Sequence, residues 1–109
     1  MHIVIYTIND CKICDKAKQI IQTEVPKHPG VTFEAKNVDQ DVNARADLAY
    51  LDWCDNPPKI VFYKNEEESQ ISIFDGILDT LTGLDVSSEK VPFTVTFRKK
   101  LVELKGRND

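Results

Sequence analysis

Cys11 and Cys14 stand two residues apart in "NDCKIC" (9–14). Such a pair serves as a redox disulfide, supplies half of a metal site, or is two inert thiols that happen to be close. Zinc needs four ligands, typically from a second C-x-x-C or paired histidines. Only Cys54 and two isolated histidines, His2 and His28, remain, both histidines expected in solvent. No metal site is therefore expected. Three cysteines is an odd number, which argues against a disulfide scaffold. Redox work needs a thiolate, and a sulfur at a helix start gains roughly 0.3–1 kcal/mol from the helix macrodipole. Lys12 assists that charge while Asp10 and Asp15 oppose it. The expected thiol pKa is modestly depressed, about 7 rather than the ~3.5 of a strong oxidant, which suits attack at neutral pH.

The pair must be held by the elements around it. "HIVIYT" (2–7) is a short β-branched and aromatic run and reads as a buried strand. Residues 14–25 place Ala17, Ile20, Ile21 and Glu24 at helical spacing, and Pro26 with the "KHPG" turn stops that helix. "VTFEAKNV" (31–38) alternates Val31, Phe33 and Ala35 on one face, as a half-buried strand does. Residues 41–53 form a second helix, with Val42, Ala46, Ala49 or Tyr50, and Trp53 on one face and Asp39 or Asp41 as cap. "PPKIVFYKN" (57–65) and "QISIFDG" (70–76) form a hairpin, and "ILDTLTGL" (77–84) a short helix. Phe93, Phe97, Leu101 and Leu104 recur at helical intervals after Pro92, so the tail is expected helical; a strand over "FTVTF" is the alternative that β-propensity favours. Tyr6 and Trp53 are expected as core or rim aromatics.

The 109 residues fit one domain, with a core over about 1–84 and a C-terminal segment 85–109. Hydrophobic residues at 41% and charged residues at 29% are ordinary for a globular protein. A net charge of −4 provides no basic stripe for nucleic acid and no polybasic membrane patch. No apolar run is long enough to span a bilayer. "MHIVIYTIND" lacks the cationic start and apolar length of a signal peptide, so a cytoplasmic location is expected; the chain is also expected to be a monomer. Structural disulfides are rare in that compartment.

The order β-α-β-α-β-β-α with a terminal helix implies an α/β fold with a four-stranded mixed sheet, two strands parallel and two in an antiparallel hairpin. The chain resembles the thioredoxin/glutaredoxin-like superfamily in three places. C-x-x-C follows the first strand and opens the first helix; "PKIVFYKNEE" from Pro58 looks like the strand that begins at a cis-proline; Gly76 resembles the glycine before the final helix. The departures are equally specific. Lys12-Ile13 stands between the cysteines, and no tryptophan precedes Cys11. Asn56-Pro57 replaces the Thr-Val before the glutaredoxin cis-proline, and Phe74-Asp75-Gly76 stands where a Gly-Gly…Asp element holds glutathione's γ-glutamyl carboxylate.

The resemblance implies a dithiol oxidoreductase with no bound cofactor. Cys11 is the nucleophile and Cys14 the resolving thiol, and Pro58, cis in the family, lies against the pair and keeps metal away. Electrons come from thioredoxin reductase or from glutathione, the clients are protein disulfides, and ribonucleotide reductase is the first to test. The potential falls between about −200 and −270 mV, the span from glutaredoxins to thioredoxin. Lys12, Ile13, Pro57, Pro58, Asp75 and Gly76 make up the expected substrate surface, with Lys12 favouring acidic partners. Pro57 has no N–H to offer a substrate backbone, a loss of roughly 0.5–1.5 kcal/mol. Cys54 is a buried thiol or a partner in a regulatory disulfide. The competing class is a binding module that uses the fold and not the thiols.

Overall fold

The computed structural model describes residues 1–50, 58–63, 77–81 and 90–107. Strand β1 (His2–Thr7) lies inside a four-stranded sheet of order β2-β1-β3-β4, with β2 at Thr32–Asn37, β3 at Lys59–Tyr63 and β4 at Ile77–Leu81. β1 is parallel to β2 and antiparallel to β3, and β3 is antiparallel to β4. The expected mixed sheet is present. A parallel pair requires a crossover, supplied by helix α1 (Lys12–Glu24). Helix α2 (Val42–Tyr50) follows β2, and helix α3 (Phe93–Arg107) follows β4.

Being central, β1 buries both its faces. Ile3 and Ile5 enter a cluster with Ala17 and Ile21 of α1, Ile60 and Phe62 of β3, Leu81 of β4, and Phe93, Phe97, Leu101 and Leu104 of α3. Val4 and Tyr6 enter a smaller cluster on the opposite face, with Val38, Val61, Tyr63 and Ala44 of α2. The two clusters are the two sides of one pleat. The C-terminal helix is therefore part of the main core, and the "FTVTF" strand is excluded. The rings of Phe62 and Phe93 lie 5.8 and 5.9 Å from that of Phe97, in tilted contact.

Helix α1 starts two residues earlier than the apolar spacing indicates and ends before Pro26, which has no N–H to continue it. A 3-10 turn, Val25–Lys27, leads to Gly30, whose φ of 83° needs a glycine.

Four expectations are corrected. Residues 77–81 are strand, not helix: Leu78 is an extra residue at a bulge between the pairs Phe62↔Asp79 and Tyr63↔Ile77. That bulge lets Leu78 and Leu81, three apart, reach the same apolar cluster, and so mimics helical spacing. Asp79 is held there by Lys100 of α3. On α2, Val42 is 82% exposed and Ala46 exposed, whereas Ala44 is buried. The cap fixes this phase, because Asp41 Oδ1 accepts from the backbone N–H groups of Asn43 and Ala44 at 2.9 and 3.2 Å, making Val42 the first helical residue. Ala35, within the sheet's edge strand β2, is exposed, unlike Phe33 on the same face. His2 is buried, its Nδ1 2.7 Å from Thr32 Oγ1 across the β1–β2 pair, and His28 is half-buried beside Glu24. The stretch 70–76, Trp53 and Cys54 lie outside the described residues.

Candidate redox site

The C-terminal end of β1 runs through Ile8–Asp10 to Cys11, which is the N-cap of α1. Helix starts leave backbone N–H groups unpaired. Here the cap atom is a sulfur: the Cys14 N–H donates to Cys11 Sγ at 3.1 Å, the position a serine or aspartate oxygen takes in an ordinary cap. The two cysteines form a disulfide with Cα atoms 5.2 Å apart. Cys11 is half-buried, whereas Cys14, one turn into the helix, is 1% exposed and next to the α1 core positions. Lys12 and Ile13 are exposed between them, Ile13 at 41%.

The approach to Cys11 is a tight construction that the sequence reading missed. Asp10 has φ of 54°, the left-handed region that Asp and Asn tolerate better than most residues. Just before it, the Asn9 N–H donates to Asp39 Oδ2 at 2.8 Å, and Asn9 Oδ1 accepts from Asn37 Nδ2 and Gln40 Nε2 at 3.0 and 3.3 Å. Asn37 Oδ1 in turn accepts the Asp39 N–H at 2.8 Å. Asp39, one of the two expected caps, thus braces the cysteine loop, and Asp41 caps α2. A run of Asn and Asp at both strand ends is the signal available in the sequence, since these side chains satisfy loop backbone locally.

Pro58 is fully buried. Tyr6 pairs with Lys59, so Pro58 falls at the edge of the sheet from which Ile8–Asp10 leads to Cys11. Pro57 and its peptide bond to Pro58 lie outside the described residues, as do Asp75 and Gly76. The latter two precede β4, so they do not follow the last strand as expected; the chain leaves β4 as Thr82-Gly83-Leu84-Asp85. Among the described residues no group of three or more His, Cys, Asp and Glu is arranged to hold a metal ion.

At the far end of α1, Glu24 is 3% exposed. Arg98 of α3 grips its carboxylate with two bonds, Nε to Oε2 at 3.0 Å and a terminal nitrogen to Oε1 at 2.7 Å. Lys27 and His28 approach to 3.5 and 3.7 Å. The Arg98 hydrogen bonds, joined by the charges of Arg98 and Lys27, outweigh burial and hold the Glu24 carboxyl at about 2 against the ordinary 4.5.

A disulfide-bonded cysteine pair at the cap of the first helix of a β-α-β unit, at the end of the sheet where Pro58 precedes β3, marks a thiol–disulfide redox protein of thioredoxin-like fold. The glutaredoxin family model matches residues 3–63, more than half of the chain, and the chain belongs to that family. No curated protein matches it.

Proposed function

We propose that the chain is a dithiol–disulfide oxidoreductase that reduces protein disulfides in the cytoplasm, acting as a monomer. The observation that carries this reading is the sulfur cap: Cys11 Sγ receives the Cys14 N–H at the start of α1, a place that favours a thiolate. In the reduced protein the Cys11 thiolate attacks one sulfur of the client disulfide. The client S–S bond breaks, its other sulfur leaves as a thiolate and takes up a proton, and Cys11 is joined to the client. Cys14, deprotonated, then attacks Cys11 Sγ and expels the second client thiolate, so the client gains two electrons and Cys11–Cys14 is oxidised. Burial of Cys14 keeps it from external disulfides and suits it to this second step.

Thioredoxin reductase or glutathione returns the electrons. Pro57 lacks the N–H that would pair with glutathione's backbone, which weakens glutathione use by roughly 2- to 12-fold. Ribonucleotide reductase is the first client to try.

The test is turnover of insulin disulfides, driven in parallel by thioredoxin reductase with NADPH and by glutathione with glutathione reductase. Turnover stronger with the first system supports the reading and the role of Pro57. Equal or stronger turnover with glutathione overturns the Pro57 argument. Silence in both, with reduced Cys11 still open to alkylation, contradicts an oxidoreductase and favours a binding module.

A further inference from the structure

Cys11 has a second flank. β1 lies between β2 and β3, so Pro58 at the start of β3 is on one side of the cysteine loop and the end of β2 on the other. On the β2 side a solvent-open groove of about 340 Å³ runs from Cys11 along α1 to Lys18, with Asn37 at the end of β2 forming part of its wall. The amides that line it are already committed, since Asn9, Asn37 and Gln40 hold one another. By contrast the side chains of Asp10, Asp15 and Lys18 have no hydrogen-bond or ion-pair partner among the described residues. Asp10 therefore adjoins the sulfur, Asp15 stands about 6 Å further along the helix and Lys18 about 4.5 Å beyond that, an order of two carboxylates and then one ammonium. Lys12, expected to draw acidic partners, is not part of this wall.

A client held through its cysteine sulfur has chain leaving in two directions, so an arm on the Pro58 flank leaves a second arm to be placed. We propose that the β2-side groove takes the other arm of the client polypeptide. It selects an arm with a basic residue beside the cysteine, facing Asp10 and Asp15, and an acidic residue facing Lys18. From Cys11 to Lys18 is about 10 Å along the helix, or roughly three residues of extended client chain. This assignment rests on the redox reading above and adds the charge pattern of the client.

The experiment uses disulfide-linked dimers of short single-cysteine peptides, reduced by the full-length dithiol protein under second-order conditions. One peptide is neutral, one carries Lys beside the cysteine and Glu three positions on, and one has the two charges exchanged; each pattern is made on both sides of the cysteine. The expected result is that the matched peptide, on one side of the cysteine, reacts about 10-fold faster than the exchanged one at low salt. The gap should shrink at about 0.5 M salt, where exposed charges are screened, and narrow in the Asp15→Lys variant, with rates normalised to alkylation of Cys11 by neutral iodoacetamide. Equal rates for matched and exchanged peptides, with the neutral one reduced, overturn the groove and leave the redox reading standing. Failure to reduce all three overturns both.

Discussion

The two ends of helix α1 are built on opposite plans. At its N-terminus a half-buried sulfur replaces the usual capping oxygen, Asp10 adopts a left-handed backbone, and the loop is braced by exposed amide and carboxylate bonds from the next loop. At its C-terminus a buried carboxylate stands where the macrodipole disfavours it, and Arg98 with Lys27 reverses the sign. Between the ends, Ala17 and Ile21 lie in the core. The comparison teaches how a helix keeps one end open for chemistry: the far end is clamped to α3, so the reactive end need carry little of the packing.

Cys11→Ser should abolish insulin reduction, while Cys14→Ser should halt after the first step and accumulate the client–Cys11 mixed disulfide, seen as a mass adduct. If Cys14→Ser turned over insulin at the normal rate, the division of roles would fail. Next in size is the core that holds α1 from the other side. Phe97→Ala should destabilise by about 3–5 kcal/mol in denaturant unfolding, yet leave the redox rate per folded molecule near normal; a loss of rate without a loss of stability would show that the ends of α1 are not independent.

The clamp gives a pH signature. Glu24 has its carboxyl depressed to about 2. Its stabilisation is full above the unfolded value near 4.5 and is lost as pH falls through 2. Arg98→Gln should flatten this acid limb of the stability curve and lower stability at neutral pH, as measured by urea unfolding between pH 2 and 7. An unchanged limb would assign the acid sensitivity to other carboxylates. Pro57→Val should raise glutathione-driven turnover, measured at saturating insulin so that the shared client contact does not enter, by roughly 2- to 12-fold. The smallest effect is expected at Asp41→Ala, about 0.5–2 kcal/mol from the lost cap of α2, with no change at the cysteines.

The legible parts of the sequence were those where one residue type dictates one structure. The cysteine spacing, the β-branched run of β1, Pro26 and the four apolar positions of α3 each pointed to what the structure contains. Misreadings arose where a single local feature changed the phase. One extra residue, Leu78, made strand β4 resemble a helix, and the choice of Asp41 over Asp39 as cap turned Val42 outward and Ala44 inward. The sequence alone does not reveal the burial of His2, because its partner, Thr32, is 30 positions away and meets it only through parallel pairing. The groove beside Cys11 has the same origin, since Asp10, Asp15, Lys18 and Asn37 share a wall only once β2 lies next to β1.

The central claim is that Cys11 and Cys14 form a reversible two-electron couple. The most direct test is a redox titration of the protein in dithiothreitol buffers, with the free thiols alkylated and counted by mass. A single transition involving Cys11 and Cys14, between about −200 and −270 mV and absent in Cys11→Ser, is the expected result. A pair that stays fully reduced or fully oxidised across that range would contradict the account.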